Sequence, residues 1–143
     1  MINLNDKYDE QNIFAKILRG EIPSIKLYED DATLAFMDIM PQIEGHALVI
    51  PKTPAVHFLD LPPAAVAAVM ATAQKLAPAI VAATKAQGFM MAQLNGSAAG
   101  QTVPHYHMHI LPRHDGLELA FHAQDMADMD ELAKIATRIK SHL

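Results

Sequence analysis

Cysteine is absent from this 143-residue chain, which removes disulfides, thiolate metal sites and cysteine nucleophiles together. Any chemistry therefore falls to imidazole or carboxylate. Positive charge is scarce as well. Eleven Lys and Arg residues lie scattered among sixteen Asp and Glu, for a net charge of −5, so no basic stripe is available to hold a nucleic-acid backbone. Nucleic acid is not an expected partner. A small anion remains possible, because backbone amides and imidazoles create local positive potential inside an acidic protein. No basic segment followed by an apolar run opens the chain, and the Ala-rich stretch from Ala64 to Ala86 is interrupted by Gln74, Lys75 and Pro78. Neither export nor membrane spanning is expected, and the reading is a cytoplasmic protein. With 51% hydrophobic residues, residues 1–143 suit one domain with a real core, and no internal repeat divides them.

What the chain does contain is ordered punctuation between apolar runs. Residues 1–11 are polar and read as a flexible lead-in. Asn12 can cap a short helix in which Ile13, Phe14, Ile17 and Leu18 share a face, with Gly20 as its stop and Pro23 beyond. Ile25 to Glu29 and Thr33 to Asp38 read as a hairpin turning at Asp30-Asp31, and Ala47 to Ile50, closed by Pro51, as a third strand. Pro62-Pro63 opens a long helix with Val66, Val69, Met70, Ala73, Ala77, Ile80, Val81 and Thr84 on one face and Gly88 at its stop. Pro78 inside it deletes a backbone hydrogen bond at roughly 3 kcal/mol, which predicts a kink or brief break. Met90 to Leu94 reads as a strand. After Pro112 the pattern fades until residues 128–143, where Asp128, Asp130 and Glu131 at the start and Lys134, Arg138 and Lys140 toward the end bracket a stripe of Met129, Leu132, Ala136 and Ile139. Hairpin-ordered strands with one long helix inserted indicate α+β.

The most informative segment is His105-Tyr106-His107-Met108-His109-Ile110-Leu111, preceded by the small-residue loop Asn95-Gly96-Ser97-Ala98-Ala99-Gly100. On an extended strand, side chains two apart share a face, so three imidazoles project together while Tyr106, Met108 and Ile110 line a core. Because imidazole titrates near neutrality, one ring can be an uncharged nucleophile while another carries a proton. Chance alternation is one reading. A His-ligated metalloprotein with His46 as a third ligand is another. Histidine-based phosphorus chemistry, which uses loop and strand together, is the third.

The segment from Gly100 to Leu111 resembles the signature of the histidine triad family of nucleotide hydrolases and transferases. Supporting stretches are similar too: Ile13-Phe14-Ala15-Lys16-Ile17, Gly20-Glu21-Ile22-Pro23, Tyr28-Glu29-Asp30-Asp31, Ala35-Phe36-Met37-Asp38-Ile39 and Gly45-His46-Ala47-Leu48-Val49-Ile50-Pro51-Lys52. The bacterial nucleotide-binding branch is the nearest likeness. The resemblance implies that His107 attacks the α-phosphorus of a nucleotide and carries a transient nucleotidyl group that water releases. His105 would position that ring, chiefly through its own backbone carbonyl, and His109 and His46 would contact the phosphate and its surroundings. Gln101, Thr102 and Val103 match the segment that meets phosphate and leaving group, and Asn95 faces the same region. Asp38 matches the acid that holds the ribose hydroxyls, with a strand-end turn as its plain alternative. Phe14, Ile17, Phe36, Ile39 and Leu48 match the slot around the base, and ordinary core explains each equally well.

The family implies an antiparallel sheet of about five strands with two main helices, a two-fold homodimer, no cofactor, and a small nucleotide, by the shape of an apolar slot a purine, as substrate. A nucleoside phosphoramidase is the leading subclass, a dinucleoside polyphosphate hydrolase the next. A non-catalytic nucleotide-binding or scaffold protein is the alternative of another class. Some bacterial relatives carry two zinc-binding cysteines in the first helix, where this chain has Asn12 and Ala15; Met37 stands where several have histidine. His57, His114, His122 and His142 belong to no motif and read as solvated surface residues.

Overall fold

Short apolar runs bounded by turn residues become strands in the computed structural model, which describes residues 1–118 and 125–143. β1 (Lys26–Glu29), β2 (Thr33–Met37) and β3 (Ala47–Pro51) form a meander; β4 (Gly88–Ala92) and β5 (Met108–Arg113) follow later. The Asp30 carboxylate closes the first turn by accepting the Ala32 and Thr33 amides at 2.9 and 2.8 Å. β5 inserts between β3 and β4, so one sheet runs β1-β2-β3-β5-β4, antiparallel throughout. Two longer helices, α2 (Pro63–Thr84) and α3 (Met129–Lys140), join the six-residue α1 (Ile13–Leu18). The architecture is the expected α+β.

Period-two alternation then sorts the sheet into two faces. Ala35 and Met37 of β2, Ala47 and Val49 of β3, and Met108 and Ile110 of β5 pack with Val69, Leu76 and Ile80 of α2 and Leu132 and Ile139 of α3. Tyr106 joins this core. Leu34, Phe36, Leu48 and Ile50 form a second, smaller cluster with Phe14 of α1. Both faces being covered, every residue of β2 and β3 is buried. One face carries stability, and the other is left for a site.

Four local expectations are revised. α2 passes through Pro78 without a break. Pro78 and Gln74, whose carbonyl loses its partner, are both exposed, so water can satisfy that oxygen while Ala73, Leu76, Ala77 and Ile80 hold the buried side in place. The helix ends at Lys85, itself in the left-handed region at φ 56°, rather than at Gly88, which frees Gly88 to open β4 two residues early. β5 begins at Met108, leaving His105 and His107 ahead of the strand. In the two apolar stripes, Met70 and Met129 are exposed while Leu76 and Ile135 are buried.

α2 is long and apolar enough to cross a membrane. Its inward face is nonetheless committed to the sheet and α3. Residues 1–11 form no helix or strand, yet they are fastened at several points: the Ile2 amide donates to Ser97 Oγ, the Ser97 amide to the Ile2 carbonyl at 2.8 Å, and His57 Nε2 to the Leu4 carbonyl at 2.8 Å. His57 is therefore fully buried, which corrects its assignment to the surface; its other ring nitrogen accepts the Leu59 amide at 3.3 Å. His122 lies outside the described residues.

At α3, the Asp128 carboxylate accepts the Asp130 and Glu131 amides at 2.8 and 3.2 Å. Asp128→Ala is expected to cost about 1 kcal/mol, measured as a lower urea midpoint at unchanged slope.

Candidate active site

Two carbonyls decide where the protons sit on the histidine segment. His105 Nε2 lies 2.9 Å from the Pro51 carbonyl, and His107 Nδ1 lies 2.7 Å from the His105 carbonyl. A carbonyl only accepts, so each of those nitrogens carries its ring's proton. His107 Nε2 is thereby left with a bare lone pair. The His105 Nδ1 lone pair accepts from the Tyr8 hydroxyl at 2.6 Å. Phe14 sets its ring edge-on to His107, centroids 5.0 Å apart, and the His107 and His109 centroids are 4.9 Å apart. Burial pushes the His107 imidazole below its ordinary range, partly offset by the bond to the His105 carbonyl, so the ring is neutral at pH 7.

His109 stands on β5 opposite Leu48 of β3. The same reasoning fixes its tautomer through a neighbour. His46 Nδ1 accepts the Gln42 amide at 3.1 Å, so the His46 proton is on Nε2, which donates to His109 Nδ1 at 2.9 Å. His109 Nε2 must then carry the remaining proton, as a donor beside His107. Asp38 Oδ2 lies 3.4 Å from His46 Nε2, while its Oδ1 accepts the Met40 amide at 2.8 Å. Burial raises the Asp38 carboxyl above its usual range, against the pull of the Met40 amide. A chain of Asp38, His46 and His109 thus ends on an N–H directed into the site.

Asp38, His46 and His109 also offer three metal-ligand atoms within 4.8 Å of one another, the one such group among the described residues. Geometry alone admits a cation. The protons oppose it: with His46 Nδ1 committed to an amide N–H, a metal on Nε2 would have to displace the ring's remaining proton and leave an imidazolate. The arrangement suits proton transfer better than coordination.

The other expected residues divide into liners and braces. Phe14, Phe36 and Leu48 are buried together beside the imidazoles, Ile17 packs against them half-buried, and Ile39 is exposed next to Asp38. Val103 borders the same cluster, and Thr102 is exposed at its edge. Gln101 is buried with its side chain committed: Oε1 accepts the Gly96 amide at 2.7 Å, and Nε2 donates to the carbonyls of Val56 at 2.6 Å and Val103 at 3.0 Å. It braces the loop from within. Asn95 Oδ1 accepts from the Phe58 amide at 2.8 Å and from Gln93 Nε2 at 2.9 Å. Tyr8 has no sequence signal. Its segment is irregular and polar, and only its position against His105 marks it.

The chain is similar in sequence and in fold to known proteins. The HIT domain model matches residues 19–116. Adenosine 5′-monophosphoramidase HNT1 of Saccharomyces cerevisiae is 38% identical over 138 residues, covering 94% of this chain and 84% of the yeast protein. Adenylylsulfatase HINT3 of Arabidopsis thaliana is 45% identical over 101 residues, 71% of this chain. The match spans only 51% of that longer protein. The crystal structure of a HIT-like protein from Bartonella henselae superposes with a TM-score of 0.90 at 44% identity, covering 96% of this chain and 100% of that one.

The buried imidazoles make stability depend on pH. Burial, with the charge of neighbouring His107 as a lesser cause, holds His46 down to about 4; burial does the same to His105, also about 4, and to His109, about 3. Between those values and 6.5 the unfolded chain binds more protons than the folded one, so stability rises with pH. The contribution is full above the unfolded value and is lost as pH falls through the folded ones. A single ring held at about 4 contributes on the order of 3 kcal/mol. Asp38, shifted upward, runs the other way. Urea midpoints are expected to fall from about pH 7 down to about pH 4.5; a flat profile would mean that the rings titrate as in water.

Proposed function

The chain belongs to the HIT domain family, and from that premise we propose that it hydrolyses nucleoside 5′-phosphoramidates or related nucleotidyl compounds at the α-phosphorus through a bond to His107 Nε2. One observation carries this reading: a neutral ring whose proton is held by the His105 carbonyl at 2.7 Å presents its free nitrogen beside an N–H donor from His109. Attack forms the phosphorus–nitrogen bond to His107 and breaks the bond to the leaving amine. The amine takes the proton from His109 Nε2, while the His46 N–H, backed by Asp38, stays on His109 Nδ1 and stabilises the deprotonated ring until the attacking water returns the proton to Nε2. The new phosphoryl-imidazole keeps its Nδ1 proton on the His105 carbonyl, which stabilises the developing positive charge. Water then displaces His107, gives up a proton to His109 Nε2, and releases the nucleoside monophosphate. Ring, carbonyl and relay return to their starting states.

Substrate binding follows from the remaining surfaces. The apolar cluster of Phe14, Ile17, Phe36 and Leu48, with Ile39 at its rim, suits the flat face of a base. The Asp38 carboxylate, one oxygen of which is free of backbone, accepts from the ribose hydroxyls. In this reading the backbone amides of Thr102 and Val103 take the phosphate. The base in this reading is a purine, and the name of the yeast relative favours adenosine.

Rapid quench with adenosine phosphoramidate is expected to trap an adenylyl group on His107 by peptide mass spectrometry. His107→Ala should lower kcat at least about 10³-fold. An adduct on another residue would overturn the assignment, and faster turnover of diadenosine polyphosphates would move the protein to the sister subclass.

The working unit in this reading is a homodimer. β4 closes the sheet order as an edge strand, and beside it Met70, Ala77, Pro78 and Val81 of α2 with Phe89 and Met91 of β4 line an apolar groove. Phe89 is 47% exposed and Met70 40%, surface that a second copy would cover while its own β4 pairs with this edge. Phe89→Glu is expected to yield a monomer in analytical ultracentrifugation where the native chain sediments as a dimer.

A further inference from the structure

We infer that Tyr8 is a positioning residue for His107, acting through His105 from the N-terminal segment. The inference rests on His107 being the nucleophile, and its observations are separate. His105 is completely buried and gripped at both ring nitrogens, by the Pro51 carbonyl on Nε2 and by the Tyr8 hydroxyl on Nδ1 at 2.6 Å. The two anchors lie 54 and 97 positions away in the chain. One anchor leaves a ring free to swing about the other. Two define its plane, and through the side-chain torsions they restrain the backbone of residue 105. That backbone supplies the carbonyl that takes the His107 Nδ1 proton. Tyr8 also packs edge-on against the ring it holds, centroids 5.5 Å apart.

Tyr8 is delivered by a strap rather than by a helix or strand. The strap is pinned at Ile2 to Ser97 and at Leu4 to His57, residues on the two loops that flank the catalytic segment. Gly96 lies under it, where an added Cβ would sit 3.5 Å from the Ile2 carbonyl and 3.7 Å from the Leu4 side chain. Removing the Tyr8 hydroxyl leaves the His105 Nδ1 lone pair without its only donor among the described residues. The ring is then free to turn, and the His105 carbonyl no longer selects a single tautomer of His107.

The test is Tyr8→Phe, which keeps the aromatic packing and deletes the hydroxyl alone. With adenosine phosphoramidate, kcat is expected to fall roughly tenfold to a hundredfold, the scale of a misplaced reacting group, with KM within about twofold of native. Nitrogen-15 NMR of the resting protein, which needs no turnover, should show His107 changing from one Nδ1-protonated form to a mixture. Ile139→Val, in the core on the far face of the sheet, controls for stability and should leave both readouts unchanged. An unchanged His107 spectrum in Tyr8→Phe would overturn the inference, as would a rate loss matched by Ile139→Val. If His107 carries no adduct in the native enzyme but its tautomer still shifts in Tyr8→Phe, the positioning stands and the assignment of the nucleophile fails.

Discussion

A single hydrogen bond, from His107 Nδ1 to the His105 carbonyl at 2.7 Å, governs what this site can do. Imidazole has two nitrogens and, when neutral, one proton; whichever nitrogen holds the proton cannot attack. A backbone carbonyl is the most dependable way to hold it, because a carbonyl cannot donate and cannot change its protonation state. The rest of the structure arranges for that carbonyl to be in place. Pro51 and Tyr8 clamp the ring of His105, the Tyr106 amide is tied to the Ala55 carbonyl at 2.8 Å, and Gln101 stitches the preceding loop to Val56.

Burial supplies the second constraint. Water around an imidazole would leave it partly protonated near neutrality, whereas packing among Phe14, Leu48 and the other rings keeps all four histidines of the site neutral. Neutrality is useful only if the tautomers agree. Here they are set in series by groups that cannot titrate, the Gln42 amide at one end and the Pro51 and His105 carbonyls at the other. The result is a bare nitrogen and an N–H side by side. An acidic protein can thus handle an anionic substrate by local hydrogen-bond donors rather than by net charge.

Much of this was legible in the chain because it depends on local pattern. Alternation around His107 announced an extended segment with a core side, and Tyr106, Met108 and Ile110 are indeed in the core. Asn12, Asp128 and Gly20 marked helix ends by chemistry that acts within a few residues. Where the reading slipped, a distant partner was deciding. Gln101 matched a phosphate-contacting segment through its backbone, and nothing in the chain signalled that its side chain would be claimed by Gly96, Val56 and Val103. His57 looked like surface because its partner, the Leu4 carbonyl, lies 53 residues away. β5 starts late because the His105 carbonyl is taken by the His107 ring and the Tyr106 amide by the Ala55 carbonyl rather than by a neighbouring strand, and Pro78 is tolerated because buried neighbours outweigh one lost bond.

The sequence alone determined which atoms are available: no thiol, few cations, and three imidazoles spaced so that an extended backbone places them near one another. Those are properties of composition and of a two-residue repeat, and they need no partner. Tertiary structure alone decided where the protons reside and which residues guard them. A tautomer depends on what lies within 3 Å of each nitrogen, and around His105 those groups come from Tyr8 and Pro51, brought together only when the N-terminal strap and the end of β3 fold against the histidine segment.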